Sequence, residues 1–232
     1  MIQNNYCGEK IDFGNMLSDS FEYTKETLME KWLKWVLLII PFMTPGYEIQ
    51  IFKGIKPAPE INDWISNFIN GIKLVVVGLI YALPIIIIAG ILILDAIFAL
   101  ISGNPKVWVI AAGGSVIGAL ICVVWGIILF FIVPIAFIRF SRSEKFVEAF
   151  NLRAILTKIG KIGWGSYIVT LIVLLIIAIV FVLIVGIISP ILVFIPLIGG
   201  SLNIILYLIL IPPISIFFAR FFTQIYDSAG AA

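Results

Sequence analysis

The chain has 232 residues, of which 62% are apolar and only 12% are charged, and its mean hydropathy is +1.19. Soluble domains carry about a quarter charged residues, so this composition excludes a water-soluble globular domain and a disordered chain and predicts an integral membrane protein. The formal net charge of +2 is too small to indicate nucleic acid as a partner. The sequence has no histidine, and its two cysteines, Cys7 and Cys122, lie in unlike surroundings. We therefore predict no metal site, no cofactor and no disulfide framework.

Four apolar stretches are long enough to cross the hydrocarbon core of a bilayer, which takes about 20 residues of helix. They run from about Ile72 to Leu94, Val107 to Ile138, Gly163 to Ile188 and Leu197 to Phe222. We therefore predict an all-α integral membrane protein with four full transmembrane helices. The membrane domain is expected over residues 32–226, after a polar N-terminal segment (1–31) with an interfacial helix and before a C-terminal tail (227–232).

A fifth apolar stretch, Trp32–Phe52, is interrupted. Pro41 and Pro45 lie within it, and each removes a backbone hydrogen-bond donor. The apolar part is also too short to span a bilayer as a straight helix. We interpret this stretch as a short, Pro-broken re-entrant hairpin, and a full, kinked span is the alternative.

The distribution of basic residues predicts the topology, because lysine and arginine accumulate on the cytoplasmic side of membrane proteins. If Trp32–Phe52 re-enters, fourteen of the fifteen basic residues, all but Lys106, lie on one side of the membrane. If it spans, four of them move to the other side. The sequence therefore predicts a multi-pass protein of the cell membrane with both termini in the cytoplasm.

The links on the predicted cytoplasmic side have apolar residues at helical spacing. This pattern occurs in Pro59–Lys73 and in Ser143–Lys161, and a less regular version occurs in Ser18–Lys34. Helices of this kind lie in the plane of the membrane surface with their apolar side among the lipid headgroups. We predict interfacial amphipathic helices here, and the docking of a partner is the alternative use.

Several runs in this region carry a resemblance to a known family. Pro57–Pro84 contains the runs PAPE, DW, GIK and VGLIYALP, and Ala219–Tyr226 reads ARFFTQIY. With Gly46-Tyr47, these runs resemble the domain-of-unknown-function 4013 family, a mostly archaeal family of multi-span membrane proteins. The resemblance covers most of Trp32–Tyr226 and is most specific over Trp64–Pro84. It implies the fold and the membrane location, and it supplies no activity.

The second predicted span, Val107–Ile138, carries small residues at four-residue intervals. They are Gly114, Gly118, Cys122 and Gly126. Small residues at this spacing let two helix backbones approach closely. We predict that this stripe packs against another helix, in the same chain or in a partner.

Three polar residues in the apolar stretches are candidates for a pathway or a cap: Glu48, Asp95 and Asn203. Asp95 lies about 33 Å along the helix axis from the basic residue before it, so we interpret it as an outer cap. Glu48 is a lone acid in the broken stretch, and an interfacial carboxylate meeting Lys53 or Lys56 is the simpler interpretation. Asn203 is expected to form hydrogen bonds across helices.

No catalytic set of residues can be formed from this sequence. The absence of histidine excludes Ser/His/Asp and Cys/His sets, and no paired carboxylates lie in the apolar stretches. We therefore expect a protein that is not an enzyme but a structural or accessory membrane subunit, in contact with the lipid bilayer and with another copy or a membrane-protein partner. The alternative is a small channel or transporter with a pathway near the Pro-broken first element, which the prolines in the spans favour.

Overall fold

The computed structural model describes residues 12–29 and 31–230, in which helices are joined by turns and short loops. The helices of these residues are α1 (Phe13–Leu28), α2 (Trp32–Ile39), α3 (Met43–Phe52), α4 (Trp64–Ser102), α5 (Pro105–Ser143), α6 (Phe146–Ala149), α7 (Leu152–Ile162), α8 (Trp164–Val193) and α9 (Gly199–Ser228). This part of the chain contains no strand. The all-α fold is confirmed, and α4, α5, α8 and α9 are long and apolar enough to cross a membrane. Cys7 lies outside the described residues.

The first long helix, α4, extends well beyond its predicted span, and α5 extends a few residues beyond its own. α4 and α5 have 39 residues each, a length of about 58 Å against a hydrocarbon core of about 30 Å. α4 begins at Trp64, where the Asp63 side chain accepts a hydrogen bond from the Ser66 amide at 3.0 Å and caps the helix. Most of the amphipathic stretch Pro59–Lys73 is therefore the beginning of α4 and not a separate helix, because nothing after Trp64 interrupts the backbone hydrogen bonds.

α2 and α3 form the predicted broken element. They have eight and ten residues and are bent by 111° relative to each other, and neither is long enough to cross a bilayer alone. Phe42, between them, has a φ of +69°, a left-handed conformation that costs a non-glycine residue about 1–2 kcal/mol. The Thr44 hydroxyl donates to the Leu38 carbonyl across the bend at 2.6 Å. The Pro-broken hairpin is thus confirmed as a sharply bent helical pair.

α3 lies at the centre of the protein core, in contact with α4, α5 and α9. Its buried residues are Met43, Thr44, Gly46, Tyr47, Ile49, Ile51 and Phe52. Where α3 crosses α4, two glycines bring the backbones together. A Cβ on Gly71 would lie 1.7 Å from the Phe42 carbonyl oxygen, and one on Gly46 would lie 1.9 Å from the Asn67 carbonyl oxygen. Only a residue without a side chain fits at either position.

Asn67 strengthens this crossing through its side chain, which is 2% exposed. Its Nδ2 donates to the Met43 carbonyl at 2.8 Å, and its Oδ1 accepts from the Gln50 side chain at 3.0 Å.

On other sides of α4, Ile65 and Ile69 are exposed. A helix on a soluble protein turns its apolar residues to the core and its polar residues outward. The reverse arrangement here fits a helix whose outer surface contacts lipid.

A proline in α9 explains how α2 is attached to that helix. Proline has no backbone N–H, so Pro213 leaves the carbonyl of Ile209 without its helical hydrogen-bond donor. The indole Nε1 of Trp35 in α2 donates to that carbonyl at 3.1 Å. The aromatic side chain therefore takes the place of the missing amide and holds α2 against α9.

Near two other interior prolines, an aromatic side chain donates a hydrogen bond to a backbone carbonyl within one turn of the proline. The pairs are Trp125 Nε1 with the Tyr81 carbonyl at 3.1 Å, near Pro84, and the Tyr167 hydroxyl with the Phe131 carbonyl at 2.7 Å, near Pro134. Proline disturbs the hydrogen bonds of the preceding turn, and neighbouring side chains commonly satisfy the freed groups in membrane helices. Both bonds join two different helices, and so the disturbed turns also serve as attachment points.

We expect Trp35→Phe to reduce the free energy of unfolding by about 1–2 kcal/mol, because the Ile209 carbonyl loses its donor in apolar surroundings. Pro213→Ala restores the helical amide at that carbonyl, so the penalty of Trp35→Phe in this second background should fall below about 0.5 kcal/mol. A double-mutant cycle from unfolding of the purified protein in detergent measures both penalties. Equal penalties in the two backgrounds would contradict this role of the indole.

The four long helices pair as two hairpins, α4 with α5 and α8 with α9. Most of their buried residues lie in the first part of α4 and α8 and in the last part of α5 and α9. These ends, together with α1–α3, α6 and α7, form what we call the base. Away from the base, in what we call the outer halves, side chains such as Leu94, Ile110, Ile187 and Ile204 are more than half exposed. Each hairpin thus extends away from the base and has an apolar outer surface.

Two of the shorter helices close the base: α1 packs along α9, and α7 packs against α5, α8 and α9. Ile155 and Ile159 of α7 are fully buried, whereas Leu152 and Leu156 stay exposed. The apolar side of Ser143–Lys161, which we expected among lipid headgroups, therefore contacts the protein core over much of its area. Burial among side chains removes this apolar surface from water just as a membrane surface does.

Candidate functional site

Glu48, the acid predicted in the broken stretch, lies half-buried in α3. The Ser215 side chain of α9 is beside its carboxylate, and no cation of the described chain is within ion-pair distance. The two lysines expected to meet it pair elsewhere, Lys53 with Glu144 at 2.6 Å and Lys56 with Asp19. The carboxylate of Glu48 therefore lies next to α9 and not next to Lys53 or Lys56.

Asp95 and Asn203 lie in the outer halves of different hairpins. Asp95 is exposed on α4, and its carboxylate would lie 4.0 Å from a Cβ built on Gly114 of α5. Asn203 lies near the beginning of α9 and is half-buried. Its side-chain oxygen is buried and has no hydrogen-bond donor among residues 12–29 and 31–230. We expected Asn203 to form hydrogen bonds across helices, and its oxygen accepts none within the described chain.

The predicted stripe of small residues on α5 divides into two parts. Gly118 is buried, and a Cβ there would lie 2.9 Å from a methyl carbon of Leu92 in α4. Gly114 is also on the α4 side. Cys122 is half-buried, and a Cβ on Gly126 would have no neighbour within 4 Å. The first half of the stripe therefore lies against α4 of the same chain, and Gly126 faces open space.

A buried arginine links the two ends of the sequence. Arg220 in α9 is 5% exposed, and its Nε donates to the Asp19 carboxylate of α1 at 2.8 Å. Its guanidinium lies over the ring of Tyr23, 5.0 Å from the centroid, and Asp19 also pairs with Lys56. Burial raises the pKa of Tyr23 to about 12, although the positive charge of Arg220 opposes that shift. The phenol therefore stays neutral, and the positive charge of Arg220 is balanced by Asp19.

A second charged cluster joins α5, α7 and the end of α9. Arg142 pairs with Asp227 at 2.6 Å and donates from Nε to the Phe52 carbonyl at 2.9 Å. The Tyr226 ring lies between two cations, with Arg142 at 4.7 Å and Lys158 at 4.2 Å from its centroid. Contacts of a cation with an aromatic face contribute about 0.5–2 kcal/mol. Residues 227–230, predicted as part of a tail, thus take part in the base.

Sequence reasoning did not find these clusters. Their partners are 201 positions apart for Arg220 and Asp19, and no periodicity or motif reports a contact over that distance. The one local signal is a basic residue close to the end of the last apolar stretch, where a charge without a partner would be costly. In the described part of the chain, no group of three or more acidic, cysteine or histidine side chains is placed to hold a metal ion.

The outer surface has two apolar grooves along α9. One, of about 480 Å³, lies between α8 and α9 and is lined by residues that include Phe181, Gly186, Tyr207 and Phe218. The other, of about 440 Å³, lies between α2 and α9 beside Trp35. Grooves of this size between helices suit apolar side chains or acyl chains, because they offer few polar groups to be satisfied.

Comparison with known families tests the family resemblance that was noted in the sequence. The profile of the family described as "Protein of unknown function (DUF4013)" matches residues 34–190, about two thirds of the chain. The chain belongs to this family. No curated protein and no solved structure matches it.

The DUF4013 match covers the central helices of the structure but leaves out α1 and α9. It begins within α2 and ends near the end of α8, so it contains the Gly46–Gly71 crossing and the Trp125 bond. α1 and α9, which carry Asp19 and Arg220, lie outside the matched residues. The likeness noted at Ala219–Tyr226 is outside them as well. The matched part therefore supplies the centre of the base, and α1 and α9 pack around it.

Proposed function

We propose that this DUF4013 protein is a non-enzymatic structural subunit that assembles laterally in the membrane with a second copy through its α8–α9 hairpin. The observation that supports this function is the apolar groove between α8 and α9. The hairpin has little contact with α4 and α5. Its outer half therefore has apolar surface available for another helix.

Gly186 makes this groove suitable for a close helix contact. A Cβ built there would have no atom of the described chain within 4 Å, and the residue lines the groove. Lipid tails are as apolar as the protein, so helices associate in membranes through tight packing at small residues and not through the hydrophobic effect. A glycine in an open groove provides such a place.

Gly186→Leu should fill the groove and weaken self-association at least tenfold, by about 1.4 kcal/mol. The measurement is the oligomer distribution of labelled protein in liposomes, by energy transfer at a series of protein-to-lipid ratios. Gly90→Leu is the matched control, because Gly90 lies on the exposed surface of α4 and also has no neighbour within 4 Å. A wild-type protein that stays monomeric at every ratio would rule out self-assembly, and a co-purifying membrane protein would point to an accessory role instead.

Glu48 supports a second candidate function, a small channel or transporter with a pathway beside the bent α2–α3 pair. A half-buried carboxylate next to Ser215 and near Pro212 and Pro213 is a place where an ion or a proton could bind. Flux into proteoliposomes that Glu48→Gln abolishes would favour this candidate over the structural subunit.

The proposed orientation places the base on the cytoplasmic side of the membrane. α1 is bonded to the last turns of α9. Asp19 bonds to Arg220 and Ser20 to Gln224, both at 2.8 Å. α1 and the last turns of α9 therefore lie at the same end of the molecule. The basic residues of the links lie at this end too, and such residues remain on the cytoplasmic side. The protein would then have its outer halves within the bilayer and its base at the cytoplasmic surface of the membrane, in contact with lipid of that leaflet.

A further inference from the structure

A cavity of about 370 Å³ lies at the base, between the end of α5 and the outward side of α7. Its lining residues are Arg139, Asn151, Arg153, Ala154, Thr157, Lys158 and Lys161. Four of the seven are basic, one is an amide, one is a hydroxyl, and none is acidic. This set of side chains consists mainly of hydrogen-bond donors, which recognise an anion.

The positive charge of the cavity is only partly compensated. Arg139 pairs with Glu148, but its Nε is buried without an acceptor in the described part of the chain. Lys158 is 2% exposed and donates to the Gly230 carbonyl at 2.6 Å, a neutral partner. Arg153 and Lys161 form no ion pair within residues 12–29 and 31–230.

The ammonium of Lys158 is affected by this excess of positive charge. Burial, and after it the charge of Arg142, lowers its pKa, although Asp227 has the opposite influence. Lys161 and Arg139 lower it further. An anion in the cavity would offset the positive charges of Arg139 and Lys161 beside this ammonium, so electrostatics favours its binding.

The surface next to the cavity is apolar. Leu152 and Leu156 lie on the adjoining side of α7 and are exposed, and so is Trp164, the first residue of the spanning helix α8. Tryptophan is enriched where a helix enters the membrane surface. A ligand that has both an anionic phosphate and acyl chains would therefore meet matching surfaces on the two sides of α7.

We propose that the cavity lined by Arg139, Arg153 and Lys161 binds the phosphate of an anionic phospholipid in the leaflet next to the base. The guanidinium of Arg153 forms paired hydrogen bonds with phosphate oxygens, and Lys161 supplies a second charge. The acyl chains lie along Leu152 and Leu156. This site is independent of the proposed self-assembly, which uses the outer half of α8 and α9.

The test is native mass spectrometry of the purified full chain in a mild detergent, with phosphatidylglycerol or phosphatidylcholine added in a titration. The wild-type protein should bind phosphatidylglycerol more tightly. The double variant Arg153→Gln/Lys161→Gln should lose about 30-fold in that affinity, about 2 kcal/mol, because each basic residue near a membrane surface contributes about 1 kcal/mol. Both side chains are exposed, so the fold should persist, and a melting curve checks it.

The control is Lys25→Gln/Lys145→Gln, which removes the same charge from exposed positions outside the cavity. This variant should keep the wild-type affinity. Equal binding of the two lipids, or an equal loss in the control, would overturn the proposal. Inorganic phosphate is the third arm. If it displaces phosphatidylglycerol at comparable concentrations, the cavity takes the free anion and the lipid assignment is wrong.

Discussion

Gly71→Ala is expected to prevent stable folding, at a cost of more than about 3 kcal/mol. A methyl group there would lie 1.7 Å from the Phe42 carbonyl oxygen and 3.0 Å from the Gly46 nitrogen. Both are backbone atoms, so no side-chain rotation can relieve the overlap, and α3 would have to move away from α4. Because α3 is the centre of the base, its displacement would expose buried residues of four helices. The expected result is aggregation or a strongly lowered melting temperature in detergent.

Gly113→Ala is the control for this experiment. Gly113 is an interior residue of α5, and a Cβ there has no neighbour within 4 Å. Replacing an exposed helical glycine by alanine removes backbone entropy from the unfolded chain and should stabilise the protein by about 0.5–1 kcal/mol. If Gly71→Ala and Gly113→Ala melt at the same temperature, the close crossing of α3 and α4 is not essential to the fold.

Asp19→Asn is expected to destabilise the protein by about 3–5 kcal/mol. The substitution keeps the size of the side chain but removes the negative charge beside Arg220, which is 5% exposed. A buried arginine without a counter-charge is costly, and Lys56, the other partner of Asp19, adds to the unbalanced positive charge. The unfolding free energy, measured by denaturant titration in mixed micelles, should fall accordingly.

Glu22→Gln is the matched control, since Glu22 is an exposed acid of the same helix. It removes the same charge from α1 and should change the stability by less than about 0.5 kcal/mol. A second check uses Arg220→Met in the Asp19→Asn background, which removes the unpaired cation and should recover much of the loss. No recovery in this double variant would show that the ion pair does not account for the effect of Asp19→Asn.

The four long helices could be predicted from the sequence because hydrophobic length alone determines whether a helix can cross a bilayer. Their ends could not be predicted in this way. α4 continues through Lys73, because a lysine is a good helix former and does not end a helix. The bend at Pro41 and Pro45 was also predictable, since proline removes backbone donors wherever it occurs.

The arrangement of the base depends on pairs that are distant in the sequence. Pro213 predicts a free carbonyl at Ile209, but nothing local shows that Trp35 supplies the donor. Gly46 and Gly71 belong to no repeated pattern, so their crossing becomes visible only when α3 is placed on α4. The cavity lined by Arg153 and Lys161 has the same origin, because it requires that α7 pack beside Arg139 of α5.

The length of α4 gives the molecule a mechanical property. Its last buried contact in the base is Tyr81, whose hydroxyl donates to the Ala149 carbonyl. From there to its last residue, Ser102, the helix continues for about 31 Å. A tilt of about 10° at this point would displace the far tip by about 5 Å, about half the width of a helix. The α4–α5 hairpin is thus a lever arm anchored in the base, and small changes in packing at the anchor are magnified at the tip.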